Sequence, residues 1–169
     1  MLVSGSKVVY PGQGPCVVNE IVKMTLGSGS ASFYRLQVLE RDGGTLLVPV
    51  DKADSIGLRP LLRKADIAKL LSHLGERAVK YDDYRQRAKD HSRLLNSGSP
   101  FDLAQIVESL TGLTSTKSLS INERKTLERA KRLLVSEISE VTGQTREEAE
   151  RQVDSALGLV NQLESGASC

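Results

Sequence analysis

The run Lys7-Val8-Val9-Tyr10-Pro11-Gly12-Gln13-Gly14-Pro15-Cys16-Val17-Val18 limits the fold more than any other stretch of the chain. A β-rich segment breaks at Pro11, passes Gly12 and Gly14, and resumes at Cys16. Proline cannot donate to a strand ladder, and glycine alone takes positive φ cheaply. Two strands joined by a tight corner follow. Such a corner suits a small bent β-barrel, whose strands turn at Gly residues and bulges. On this stretch alone an ordinary β-hairpin is the better reading.

The segments that follow extend the β pattern to about residue 56. Val17-Val18 and Ile21-Val22 lead towards Met24 and Leu26, and Gly27-Ser28-Gly29-Ser30 reads as a flexible hairpin loop. That loop lacks the helix and Lys of a phosphate-binding loop. Phe33 to Leu39 alternates, with Tyr34 and Leu36 facing away from Arg35 and Gln37. Asp42-Gly43-Gly44 is a turn, and Thr45 to Val50 is the last expected strand. Pro49 in it argues for a sheet edge or a strand end. Four or five strands in about 50 residues make a small barrel of the SH3 or Tudor type.

From Leu61 the period becomes helical. Ile67, Leu70, Leu71 and Leu74 form one stripe, closed by Gly75. A second helix is expected from about Tyr81 to Asn96, with Asp82 and Asp83 in its first turn. Ser99-Pro100 opens a third, with the stripe Leu103, Ile106, Val107 and Leu110. Ser120-Ile121-Asn122-Glu123 is a capping box for a fourth, burying Leu127, Ala130, Leu134, Ile138 and Val141 up to Gly143. Thr145 to Glu148 caps a fifth, with Ala149, Val153, Ala156, Leu157 and Val160. The fold class is therefore α+β: a small Tudor/SH3-like barrel over 1–58, an all-helical domain of about five helices over 59–164, and a frayed tail over 165–169.

Chemistry is hard to find in this chain. Histidines number two, His73 and His91, and cysteines two, Cys16 and Cys169. Neither pair has the spacing of a metal site or a disulfide framework. Asp82-Asp83 and Glu147-Glu148 read as helix-start carboxylates rather than catalytic pairs. No enzyme, metal or cofactor is expected. No apolar run approaches the roughly 20 residues of a membrane span. The start, Met1 to Lys7, does not resemble a signal peptide. A cytoplasmic, monomeric protein is expected.

Charge is uneven under a net +2. Residues 61–98 hold nine Lys/Arg against five Asp/Glu, while 99–169 hold eight against eleven. Arg77, Lys80, Arg85, Arg87, Lys89 and Arg93 are interleaved with Tyr81 and Tyr84, which suits phosphate neutralisation and stacking on bases. The same cations also read as a solvated helix face offset by Asp82, Asp83 and Asp90. A second basic set, Arg124, Lys125, Arg129, Lys131 and Arg132, is interleaved with Glu123, Glu128 and Glu137 and reads as a solvated face.

Taken together, Val8 to Gly14, Phe33-Tyr34, Leu47 to Val50, Ser55 to Arg59, Leu95 to Gly98 and Leu119 to Leu127 resemble the CarD/CdnL family of bacterial transcription regulators. The likeness runs over nearly the whole chain in order. Its opening motif is shared with the polymerase-interacting module of the transcription-repair coupling helicase, but this chain is far too short for a helicase. The resemblance implies a Tudor-like barrel docked on the RNA polymerase β subunit through Met24, Leu26, Leu36, Leu47 and Pro49. Leu36 reads equally as core. The helical domain would then contact promoter DNA at the upstream edge of the bubble and stabilise the open complex.

One departure matters: the family places a tryptophan wedge where this Trp-free chain has Tyr84. Tyrosine keeps a flat apolar face and a polar tip on a smaller area. Arg85, Gln86, Arg87, Lys89 and Arg93 follow as expected DNA contacts, weak and non-specific in the isolated chain. The alternative is a protein-only adaptor that joins the polymerase to another partner.

Overall fold

In the computed structural model, residues 1–40, 42–76 and 83–158 are described, and they divide into two compact units, Met1–Leu61 and Leu62–Cys169. The division falls after Leu61 rather than Leu58, because Arg59 and Pro60 still pair with the sheet.

The first unit is a five-stranded antiparallel sheet in the order β4-β3-β2-β1-β5. Its strands are β1 (Lys7–Tyr10), β2 (Gly14–Leu26), β3 (Gly29–Val38), β4 (Thr45–Pro49) and β5 (Arg59–Pro60). Between β4 and β5 lie a 3-10 turn and a short helix, α1 (Ala53–Ile56). The Pro11 corner forms as expected. Tyr10 pairs with Gly14, the Gln13 N–H donates to the Tyr10 carbonyl at 3.0 Å, and Gly12 and Gly14 take φ of 81° and 88°. Pro49 ends an edge strand, where its missing N–H costs the sheet nothing.

Two expectations for the strands need correction. The hairpin loop is only Gly27-Ser28, since Gly29 and Ser30 pair with Leu26 and Thr25. The strand over Thr45–Pro49 is not the last, because Arg59-Pro60 pairs with Val8 and Val9. Two-residue strands carry no alternation to read, so β5 is invisible to periodicity.

The register shifts between Val18 and Glu20, a bulge at Asn19 that bends β2. Val8, Cys16, Val18, Tyr34, Leu36 and Val48 form the barrel core. Burial pushes the Cys16 thiol up to about 11, so it stays protonated and behaves as a small hydrophobe.

The second unit contains, among the described residues, five helices: α2 (Lys64–Leu74), α3 (Tyr84–Asn96), α4 (Pro100–Leu113), α5 (Ile121–Thr142) and α6 (Arg146–Ala156). Both capping boxes form, at Ser120/Glu123 and Thr145/Glu148. The expected stripes meet in one core around Leu70, Ile106, Leu110, Leu134 and Ile138. The Glu137 carboxylate, buried on α5, accepts the Leu62 N–H at 3.0 Å and anchors the first residue of the unit. Tyr81, Asp82, Val160 and the tail 165–169 lie outside the described residues.

The β3–β4 turn leaves no room for a side chain at Gly43. A Cβ there would stand 2.5 Å from the Val38 carbonyl oxygen and 2.8 Å from that of Glu40. Gly43→Ala is expected to lower stability by about 1–3 kcal/mol through this clash, read as a lower urea midpoint at unchanged m-value. Gly44→Ala, with open space at its Cβ, serves as the control.

Candidate functional site

Two surfaces carry the candidate residues, one on each unit. On the barrel, the cross-strand rows Val22–Phe33–Pro49 and Glu20–Arg35–Leu47 place their side chains on one face of β2, β3 and β4. Met24, paired with Ala31, and Leu26, paired with Gly29, continue that face along the hairpin. Met24 is 40% exposed, Leu26 57% and Leu47 46%. Pro49, Val22 and Phe33 are half-buried. Glu20 and Arg35 form an ion pair across the same face. The outcome is an apolar surface on solvent, beside an edge strand whose outer side pairs with no other described strand.

Leu36 does not belong to this surface. It pairs with Val18 and Leu46, has the opposite pleat parity, and is 0% exposed in the barrel core. A docking role for Leu36 is therefore corrected to a packing role. Alternation along Phe33–Leu39 already carried that signal, because Tyr34 and Leu36 share a face. Val22 and Phe33 were missed as surface residues. The same period of two, read back from Met24 and Leu26, would have found Val22.

On the helical unit the DNA candidates lie on α3. Asp83 is its N-cap, its carboxylate accepting the Arg85 N–H at 3.1 Å, so it stands before the helix and not in its first turn. Tyr84 is the first helical residue and 43% exposed. Arg85, Lys89 and Arg93, spaced i, i+4, i+8, make one exposed row, and Gln86 is tied to Asp90 at 3.1 Å. Arg77, Lys80 and Tyr81 lie outside the described residues.

Arg87 is not part of the exposed row. It is 4% exposed, and its Nε and Nη2 donate to Glu123 Oε1 at 2.8 and 2.6 Å. The other oxygen, Glu123 Oε2, accepts the Ser120 N–H at 3.0 Å in the capping box of α5. One carboxylate thus closes a helix end and pairs a buried guanidinium. The guanidinium carbon also lies 5.5 Å from the Tyr84 ring centroid. An expected phosphate contact is therefore corrected to an internal ion pair. The signal was present in the spacing: counting back from Leu94 by three and by seven lands on His91 and Arg87, both buried.

The electrostatics follow from this packing. Burial alone would raise the Glu123 carboxyl, but the Ser120 N–H and Arg87 outweigh it and hold the group below its ordinary value. His91 is buried beside them, and burial first, then the Arg87 charge, push its imidazole below 6.5. His73, half exposed, stands 3.6 Å from Glu76 and edge-on to Phe101. Among the described residues no group of three or more His, Cys, Asp or Glu side chains is placed to hold a metal ion, and no helix is long and apolar enough to cross a membrane.

Because the folded His91 resists protonation, the unfolded chain takes up a proton first as pH falls below 6.5. Stability is thus full above that pH and declines below it, by at most about 1.4 kcal/mol per pH unit for this one group. Urea titrations between pH 7.5 and 5 are expected to show the decline, and His91→Gln to flatten it. The Glu123 contribution has the same sign but is lost only below 4.5.

Comparison with known proteins places these units in a familiar frame. The family model described as CarD-like/TRCF RID domain matches residues 2–62, and that of the CarD C-terminal domain matches residues 67–154. YdeB of Bacillus subtilis (strain 168), named as a candidate transcription factor, is 24% identical over 147 residues, covering 85% of this chain and 94% of its own. The solution structure of the 72-residue N-terminal domain of Myxococcus xanthus CarD is 35% identical, covering 36% of this chain and 79% of its own, at a TM-score of 0.30.

Proposed function

Because this chain belongs to the CarD family of transcription regulators, we propose that it is a non-enzymatic regulator that docks on the RNA polymerase β subunit through the barrel and stabilises the open promoter complex through α3. The observation that carries this reading is the solvent-facing apolar surface of Met24, Leu26, Leu47 and Pro49 beside the edge strand β4. An apolar face on an open sheet edge suits addition of a partner strand, with the ladder giving affinity and the side chains giving specificity. Val22 and Phe33 extend the proposed docking surface.

On the helical unit, Tyr84 offers an aromatic face at the start of α3, and Arg85, Lys89 and Arg93 offer cations along its exposed side. The ring is the proposed wedge at the upstream edge of the bubble, and the three cations meet phosphates. Gln86 contacts the backbone beside them. Such binding is weak and insensitive to sequence in the free protein, which acts as a monomer in the cytoplasm.

Two measurements test the reading. Met24→Asp and Leu47→Asp alter exposed side chains, so the variants are expected to keep wild-type thermal stability within about 0.5 kcal/mol. Their affinity for the isolated β subunit should fall tenfold or more, about 1.4 kcal/mol or above. Open-complex lifetime with cognate polymerase should lengthen with wild type and shorten with Tyr84→Ala. Unchanged lifetime in Tyr84→Ala together with an Arg85→Ala/Lys89→Ala/Arg93→Ala variant, with β binding intact, would replace the DNA role by that of an adaptor between the polymerase and another protein.

A further inference from the structure

We propose that Arg87 is a positioning residue that holds the Tyr84 ring in its exposed pose, with Glu123 holding Arg87 in turn. The inference rests on Tyr84 being the group presented to DNA, and it adds what orients that group.

Tyr84 is the first residue of α3 and is nearly half exposed, so a contact at the ring face bears directly on its rotamer. One turn on, at i+3, the Arg87 guanidinium lies beneath the ring at 5.5 Å from its centroid. A cation–π contact of this kind favours the held ring by about two- to tenfold over a freed one. The guanidinium could serve only if it were itself fixed, and it is. Two of its N–H groups are taken by one oxygen of Glu123, and the pair is almost wholly buried. Glu123 is fixed too, by the Ser120 N–H on its other oxygen. A chain of three contacts therefore runs from the start of α5, through a planar cation, to the exposed ring.

Lysine could not replace this arrangement. Its ammonium is a compact point charge without the rigid fork that lets one guanidinium donate two N–H groups to a carboxylate while its carbon stands over a ring.

The chain contains no tryptophan, so Tyr84→Trp makes a single fluorescent reporter at the position in question. Acrylamide quenching and anisotropy of the introduced indole are measured on the free protein in three backgrounds: unaltered, Arg87→Lys, and Arg87→Met with Glu123→Gln. The double variant removes both buried charges together while Gln keeps the capping box, so it stays folded even where a single change would strand a charge. Cooperative urea unfolding checks each. Quenching is expected to rise about twofold, and anisotropy to fall, in both altered backgrounds. Unchanged quenching in the folded double variant would overturn the proposal and leave Arg87 a purely internal ion-pair partner.

Promoter-complex lifetime separates this from the wedge reading. With Tyr84 in place, Arg87→Lys is expected to shorten the lifetime part of the way towards Tyr84→Ala. A loosened indole reporter with no lifetime effect of Tyr84→Ala sinks the wedge and keeps the positioning. An indole that stays ordered in every background, with a strong effect of Tyr84→Ala, does the reverse.

Discussion

The Glu123 carboxylate is where the helical unit joins its parts. Its two oxygens serve different ends. Oε2 receives the Ser120 N–H that would otherwise be orphaned at the start of α5, and Oε1 receives Arg87 from α3. A buried ion pair by itself is weak evidence for stability, because taking two charges out of water costs several kcal/mol per ion. The geometry explains why it is kept. The same carboxylate would be present as a cap in any case, so its desolvation is already partly offset by a helix-end hydrogen bond. Adding Arg87 then fixes how the start of α3 lies against the start of α5, which an apolar pair of equal volume would leave free to slide. Specificity of packing, rather than net stability, is the reasonable gain.

Most of the fold was legible in the sequence, and the reason is local. Pro11 with Gly12 and Gly14 forces a corner whatever else surrounds it, and the Ser120 and Thr145 boxes start helices by bonds three residues long. Stripes such as Ile67, Leu70 and Leu74 need only the helical period to be seen. What escaped was short or distant. β5 has two residues and exists only because β1 is there to pair with it. Arg87 reads as one cation among several until its partner, 36 positions along the chain, is brought beside it. Charge gives no sign in sequence of whether it is solvated or paired, whereas its place in the stripe with His91 and Leu94 does.

The docking candidates divide for a related reason. A strand face is set by parity, and one bulge, at Asn19, resets parity along β2. Before it, Cys16 and Val18 point inward at even positions. After it, the even positions Val22, Met24 and Leu26 belong to the outer face. The bulge therefore turns a strand that begins in the core into one that ends as a surface, without any change in its apolar character. Leu36, on the unbulged strand β3, stays inward with Tyr34 and Val38.

Withdrawal of Arg87 into the interior also bears on how such a surface could work on DNA. The described part of α3 then offers three exposed cations, Arg85, Lys89 and Arg93. Each phosphate neutralised contributes a salt slope of about 0.9, so three contacts, were these cations to meet phosphates as proposed, would give shallow salt dependence and little affinity in the isolated protein. A surface this weak is useful only when another contact holds it near its target. A flexible tether supplies an effective concentration on the order of millimolar, enough to fill sites that free protein at micromolar levels would leave empty. In the proposed reading the apolar barrel face supplies that tether, and with the work so divided neither unit would need to bind strongly. It also places the burden of geometry on the α3 start. In the proposed reading, with few charges to pull it in, the ring of Tyr84 would need to be oriented before DNA arrives, which is the part proposed for the guanidinium 5.5 Å from its centroid.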